Sequence, residues 1–206
     1  MDAVDVAIVL AIDVSASVDF DEFTLMVGGL SNALRDPDLE SAILEGPRQA
    51  IALAALFWSE DQAVAATWMR VDGRGPAEAF AAQLDMAPRQ PLAGATALGE
   101  GLAAALRLLA ACPADSRRQV IDVSGDGRSN RGRPPALLRD LAVSAGVSIN
   151  GLAVLNEEPD LLDYYTSDVA GGPGAFVIPA NDYAAFGEAM RRKLLRELRG
   201  PGPLIT

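Results

Sequence analysis

The run Val6–Leu10 is apolar at every position. A strand of that kind buries both faces, which points to a sheet covered by helices on each side rather than one open to water. Val4–Ile12, Ala50–Trp58, Ala63–Val71, Gln119–Val123, Ser148–Leu155 and Ala175–Ile178 all read as strands. Val18–Leu34, Ala77–Leu84, Ala97–Ala111, Pro135–Ala145, Asp160–Ala170 and Asp182–Arg199 read as helices, with "RDPD" ending the first. Such alternation implies right-handed crossovers and a parallel sheet. The link "SEDQ" is too short for a crossover, so Ala63–Val71 is expected to turn back as an antiparallel edge strand. The prediction is a single doubly wound α/β domain over residues 1–206, with its core at about 4–199 and "GPGPLIT" as a tail. Its six-stranded, mainly parallel sheet carries helices on both faces, with Val4–Ile12 in the interior.

Composition decides which chemistries remain open. The 206 residues carry a formal net charge of −11, which disfavours the phosphates of nucleic acid as a partner. There is no histidine, so Ser-His-Asp triads, Cys-His nucleophiles and H-E-x-x-H zinc sites are excluded. Lys193 is the one lysine, and Cys112, the one cysteine, is expected to be a buried thiol with no disulfide. No apolar run reaches the roughly 18 residues of a membrane span, so no transmembrane segment is expected. Met1 leads almost directly into the first strand, so no leader is expected within residues 1–206, although a mature segment behind a new initiator Met reads the same way.

Ligands of open α/β sheets bind outside the carboxyl ends of the strands. Two polar clusters fall there, "DVSAS" at 13–17 and "SGDG" at 124–127, and a third, "GATALGEG" at 94–101, opens the most apolar helix. Asp13, Ser15, Ser17, Thr96 and Asp126 are therefore expected to converge at one edge of the sheet. Carboxylate and hydroxyl oxygens with no soft ligand among them suit a hard divalent cation. Simpler readings stand beside this one. Ser17 is a natural N-cap for Val18–Leu34, and Thr96 for the helix that follows it. Asp122 lies on the same side of its strand as Asp126, where it either supports the site or makes a structural hydrogen bond to a neighbouring loop.

D-x-S-x-S after an apolar first strand, G-x-T-x-L-G, and a later S-G-D-G together resemble the metal-ion-dependent adhesion site of von Willebrand factor type A domains. The resemblance runs from residue 4 to about 199. "VIDVSGDGRSNRGRP" followed by "GVSINGLAVL" also resembles one bacterial subgroup, the DUF1194 family of unknown function. The resemblance implies that Ser15 and Ser17 ligate Mg²⁺ directly, with Mn²⁺ or Ca²⁺ as substitutes. Thr96 would ligate directly or through water, and Asp13 and Asp126 mainly through water. It further implies a protein-binding module rather than an enzyme, with an Asp or Glu of a protein partner completing the coordination. The compartment implied is extracytoplasmic if a leader has been removed, and cytoplasmic otherwise.

A second reading is a Mg²⁺-dependent phosphatase or phosphotransferase of haloacid dehalogenase-like type, with Asp13 as the nucleophile. Ser15 then stands where a second carboxylate is wanted, and Lys193 lies in the last helix. A Rossmann nucleotide site is excluded, because neither G-x-G-x-x-G nor G-x-x-x-x-G-K-[ST] occurs. "RSNRGR", with Arg128, Arg131 and Arg133, reads either as a face for an acidic partner or as a solvated loop. "RRKLLRELR" at 191–199 reads as the basic end expected of a helix C-terminus, or as a membrane or partner contact. Trp58 and Trp68 read as packing residues.

Overall fold

The first strand, β1 (Val4–Asp13), divides its side chains between two cores. Val6, Ile8, Leu10 and Ile12 enter one, while Ala7, Val9 and Ala11 enter the other, as the period of two along a strand requires. The computed structural model describes residues 1–200; residues 201–206, the rest of the expected tail, lie outside the described residues. The strands β1, β2 (Ile51–Trp58), β3 (Gln62–Val71), β4 (Ser116–Gly125), β5 (Val147–Val154) and β6 (Val177–Ala180) form one sheet in the order β3-β2-β1-β4-β5-β6. Only β3 runs antiparallel, against β2, and it is the edge strand the short link demanded.

Both faces are covered. The helices α1 (Phe20–Leu34), α2 (Pro37–Leu44), α3 (Arg74–Met86) and α7 (Phe186–Arg199) pack on the first core. On the second lie α4 (Leu98–Ala110), α5 (Pro135–Ser144) and α6 (Leu161–Tyr164), the last running on into a π-helical turn at Tyr165–Val169. Helices α1 and α7 cross where Gly29 meets Gly187. A Cβ on Gly29 would sit 2.9 Å from the Cα of Gly187, so a side chain there would force the helices apart.

Several boundaries differ from the sequence reading. Helix α1 begins at Phe20 rather than Val18, because Asp19 caps it in a reciprocal box with Glu22. "RDPD" ends α1 but also starts α2, which the reading missed; Asp36 caps it and accepts from the Asp38 amide at 2.8 Å. The Asp160–Ala170 segment is a short α-helix followed by a π turn, and α7 begins at Phe186, not Asp182. Cys112 is only partly buried, since it sits just past α4 where the chain turns towards β4.

Asp122 bonds to neither site nor loop. Its Oδ1 lies 2.5 Å from Lys193 Nζ, which also stands 3.0 Å from Glu197 Oε1, all three buried between β4 and α7. Period two did place Asp122 on one side of its strand, but a lysine from the covering helix reaches it first. Trp58 is fully buried and Trp68 half-buried, its indole N–H donating to the Leu108 carbonyl at 3.1 Å, as packing residues should.

Candidate metal centre

Strands β1 and β4 are parallel neighbours with Ile12 opposite Ser124, so the segments after them leave the sheet at the same end. Asp13 closes β1, and its Oδ1 accepts the Ser15 amide at 2.8 Å, folding the chain into an Asx turn. That turn sets Ser15 and Ser17 together, their Oγ atoms 3.3 Å apart. Ser17 Oγ donates to Asp126 Oδ1 at 2.8 Å, and Thr96 Oγ1 to Ser15 Oγ at 3.4 Å. All five residues singled out in the sequence thus meet in one connected cluster.

The loop before α4 is tied in by its backbone. The Ala16 amide donates to the Gly94 carbonyl at 2.9 Å. Asn130 grips Thr96 twice, its Oδ1 accepting the Thr96 amide and its own amide donating to the Thr96 carbonyl, both at 2.9 Å. Neither hydroxyl is occupied with capping: Asp19 caps α1, and the N-cap position of α4 is Ala97, with no side-chain bond.

Four contributors were not anticipated. The Arg89 guanidinium donates to the carbonyls of Val14 (3.3 Å), Ser15 (3.2 Å) and Val18, clamping the turn from behind. Tyr183 donates its hydroxyl to Asp126 Oδ2 at 2.8 Å. Asn130 is the third, and Tyr165 the fourth. The side chains of Tyr165 and Asp13 converge on Gly125, where a Cβ would stand 2.7 Å from both Asp13 Oδ2 and the Tyr165 hydroxyl. Only Asn130 had a local signal, since it lies inside "RSNRGR"; the other three arrive from distant segments.

Asp13 Oδ2 and the Tyr165 hydroxyl are buried with no hydrogen-bond partner. Burial first, then the neighbouring charge of Asp126, pushes the Asp13 carboxyl up to about 8. Burial also raises both tyrosine hydroxyls above their ordinary range, so they stay protonated. Among the described residues neither Asp13 nor Asp126 has an ion-pair partner. The Arg89 guanidinium behind the turn offsets only part of this lack, so ionising both buried carboxyl groups is costly, and a cation beside them would reduce that cost. No group of three His, Cys, Asp or Glu side chains gathers for a metal among the described residues. The donors here are hydroxyls and two carboxylates, a set that fits a hard ion.

The arginines of "RSNRGR" are each matched: Arg128 with Glu158 and Asp160, Arg131 with Glu60, Arg133 with Glu100. That loop is a surface ion-pair lattice rather than a free basic face. Lys193, held against Asp122 and Glu197, is not at the site.

The model of a family described as "Protein of unknown function (DUF1194)" matches residues 3–202. The chain belongs to this family. No curated protein matches it in sequence. This DUF1194 chain has the fold of von Willebrand factor type A domains. It is similar to a von Willebrand factor type A protein from Catenulispora acidiphila at 17% identity and a TM-score of 0.66, over 95% of this chain and 43% of the other. It is also similar to proximal thread matrix protein 1 of the mussel byssus, in a structure "with zinc occupied MIDAS motif", at 16% identity and 0.68, over 95% and 46%. The pilus tip protein Mfa5 of Porphyromonas gingivalis matches through its vWF domain at 10% identity and 0.68, over 93% and 94%. The chain spans somewhat under half the length of the first two of these. No helix among the described residues is long and apolar enough to cross a membrane.

Proposed function

We propose that this DUF1194 chain is a divalent-cation-dependent protein-binding module and not an enzyme. Asp13, Ser15, Ser17, Thr96 and Asp126 hold the ion and present it to a carboxylate of a partner. The observation that carries this reading is the pair of buried carboxyl groups, Asp13 and Asp126, which have no ion-pair partner among the described residues and stand in one hydrogen-bonded cluster with the hydroxyls of Ser15, Ser17 and Thr96. Mg²⁺ is the ion of choice, with Mn²⁺ or Ca²⁺ as substitutes, because every donor is a hard oxygen. Neutral hydroxyls leave much of the ion's charge unspent, so an Asp or Glu from outside gains by completing the shell. The likeness to pilus and byssus proteins of the same fold supports an interaction role. The phosphotransfer reading has no support at the site, where Ser15 replaces the second carboxylate and the one lysine is spent elsewhere.

The test is thermal melting in Mg²⁺ and in EDTA. Binding to the native state alone stabilises by RT ln(1 + [L]/Kd), about 2.7 kcal/mol at a hundredfold excess over Kd. The wild type is expected to shift upward and Asp126→Ala not to shift. No shift of the wild type at millimolar Mg²⁺ or Mn²⁺ would overturn the reading.

A further inference from the structure

A groove of about 320 Å³ lies beside the oxygen cluster, between α1 and the segment that leaves α3. Phe20, Phe23, Val27 and Gly28 line it from α1, and Ala87 and Pro88 face them. Its two charged lining residues are already engaged. Asp85 pairs with Arg35 at 2.7 Å, and Arg89 donates to the carbonyls of Val14, Ser15 and Val18. The groove therefore presents apolar surface, and Arg89 joins its wall to the turn that carries Ser15 and Ser17.

Two observations set this groove apart. The first is exposure: Leu92 (87%), Met86 (83%) and Phe20 (70%) are the most exposed large apolar side chains among the described residues. Single apolar residues on a surface are ordinary, but these three gather around one place. Phe20 stands on the groove, Met86 directly precedes Ala87, and Leu92 lies in the loop whose Gly94 carbonyl accepts the Ala16 amide at 2.9 Å. The second is Gly28. A glycine inside a helix weakens it, so it calls for a reason. Gly29 has one in its contact with Gly187 of α7, whereas a Cβ on Gly28 would meet nothing within 4 Å. Packing within the chain does not require glycine there, and its missing side chain keeps the groove open.

We propose that the groove receives a large apolar side chain of the partner, close in sequence to the carboxylate that completes the metal shell; this rests on the function proposed above. Phe20 follows Ser17 by three residues, so their Cα atoms lie within about 11 Å of each other. An extended partner segment covers that distance in about three to four residues. Asp19 and Asp21, exposed on either side of Phe20, form no ion pair among the described residues. They repel a run of acidic groups, so the segment carries one acidic residue among neutral and apolar ones.

The probes are short acetylated, amidated peptides of glycine and serine around one aspartate, with a single phenylalanine walked through the four positions on either side. Binding to the full chain is followed by amide chemical-shift titration in millimolar Mg²⁺. At least one placement is expected to bind tenfold or more tightly than the peptide without phenylalanine, and EDTA is expected to abolish the binding of both. Phe20→Ser, and separately Gly28→Leu, which fills the groove from an ordinary helical position, are expected to remove that gain. Each is expected to keep the wild-type melting shift in Mg²⁺ and the binding of the phenylalanine-free peptide. If that plain peptide binds in Mg²⁺ and no placement improves on it, or if the gain survives either substitution, the groove proposal fails alone. If no peptide binds, or EDTA changes nothing, the partner-carboxylate reading fails with it. A dimer in light scattering that Phe20→Ser makes monomeric would overturn the proposal in favour of a second copy as the occupant.

Discussion

Gly125 shows how a single atom decides the site. Any side chain there would meet Asp13 Oδ2 and the Tyr165 hydroxyl at 2.7 Å, in a place with no room to yield. Gly125→Ala is expected to cost about 1–3 kcal/mol, as overpacked cores do. Urea denaturation measures that loss, and a Mg²⁺ titration of the variant is expected to show weakened binding. At Glu197 the outcome depends on pH. Burial first, then the charge of Asp122, pushes its carboxyl up to about 7 from an ordinary 4.5, against the opposing pull of Lys193 and Asn150. A proton held more tightly folded than unfolded stabilises at low pH, so this contribution is complete below 4.5 and lost as pH rises through 7. Urea midpoints at pH 5 and pH 8 are expected to fall further for the wild type than for Glu197→Gln. Asp13 titrates in an overlapping window, so the difference between the two proteins is the readout.

Helix α7 is anchored by chemistry that amphipathicity alone does not supply. Its Gly187 lies against Gly29 of α1, its last carbonyls are held by Arg118, and Lys193 reaches Asp122 in the sheet. Lys193→Met leaves Asp122 and Glu197 buried together without a cation and is expected to destabilise by about 3–5 kcal/mol. Lys193→Met combined with Asp122→Leu and Glu197→Leu is expected to recover most of that loss in the same denaturation series, because an apolar core replaces the charges. Helix α1 depends more on its start. Asp19→Ala breaks the capping box with Glu22 and is expected to cost about 0.5–2 kcal/mol, read from the shift in melting temperature.

Across the whole molecule, the strand order puts β1 between β2 and β4, two positions from the β3 edge and three from the β6 edge. Hydrogen exchange is expected to be slowest at Ala7–Ala11, which opens only on global unfolding, and faster in β3 and β6 at the edges. Equal protection in edge and centre would contradict that hierarchy. Much of this architecture was legible in the chain itself. An apolar run such as Val6–Leu10 has one stable home, and alternation with helices leaves one economical sheet. "DVSAS", "GATALG" and "SGDG" placed Asp13, Ser15, Ser17, Thr96 and Asp126 at strand ends or a helix start, because local sequence sets where strands stop. What the sequence did not yield was set by distance along the chain. Asp36 both ends one helix and starts another, and only the packing of Leu39 and Ile43 against the core makes the second one persist. The lysine that claims Asp122, the arginine that clamps residues 14–18 and the tyrosine that holds Asp126 come from segments 57 to 75 residues away or are turned inward by a covering helix. Strand and helix periods are properties of near neighbours and can be read directly; which side chains share a buried pocket depends on how the layers close over one another, and that is decided only in three dimensions.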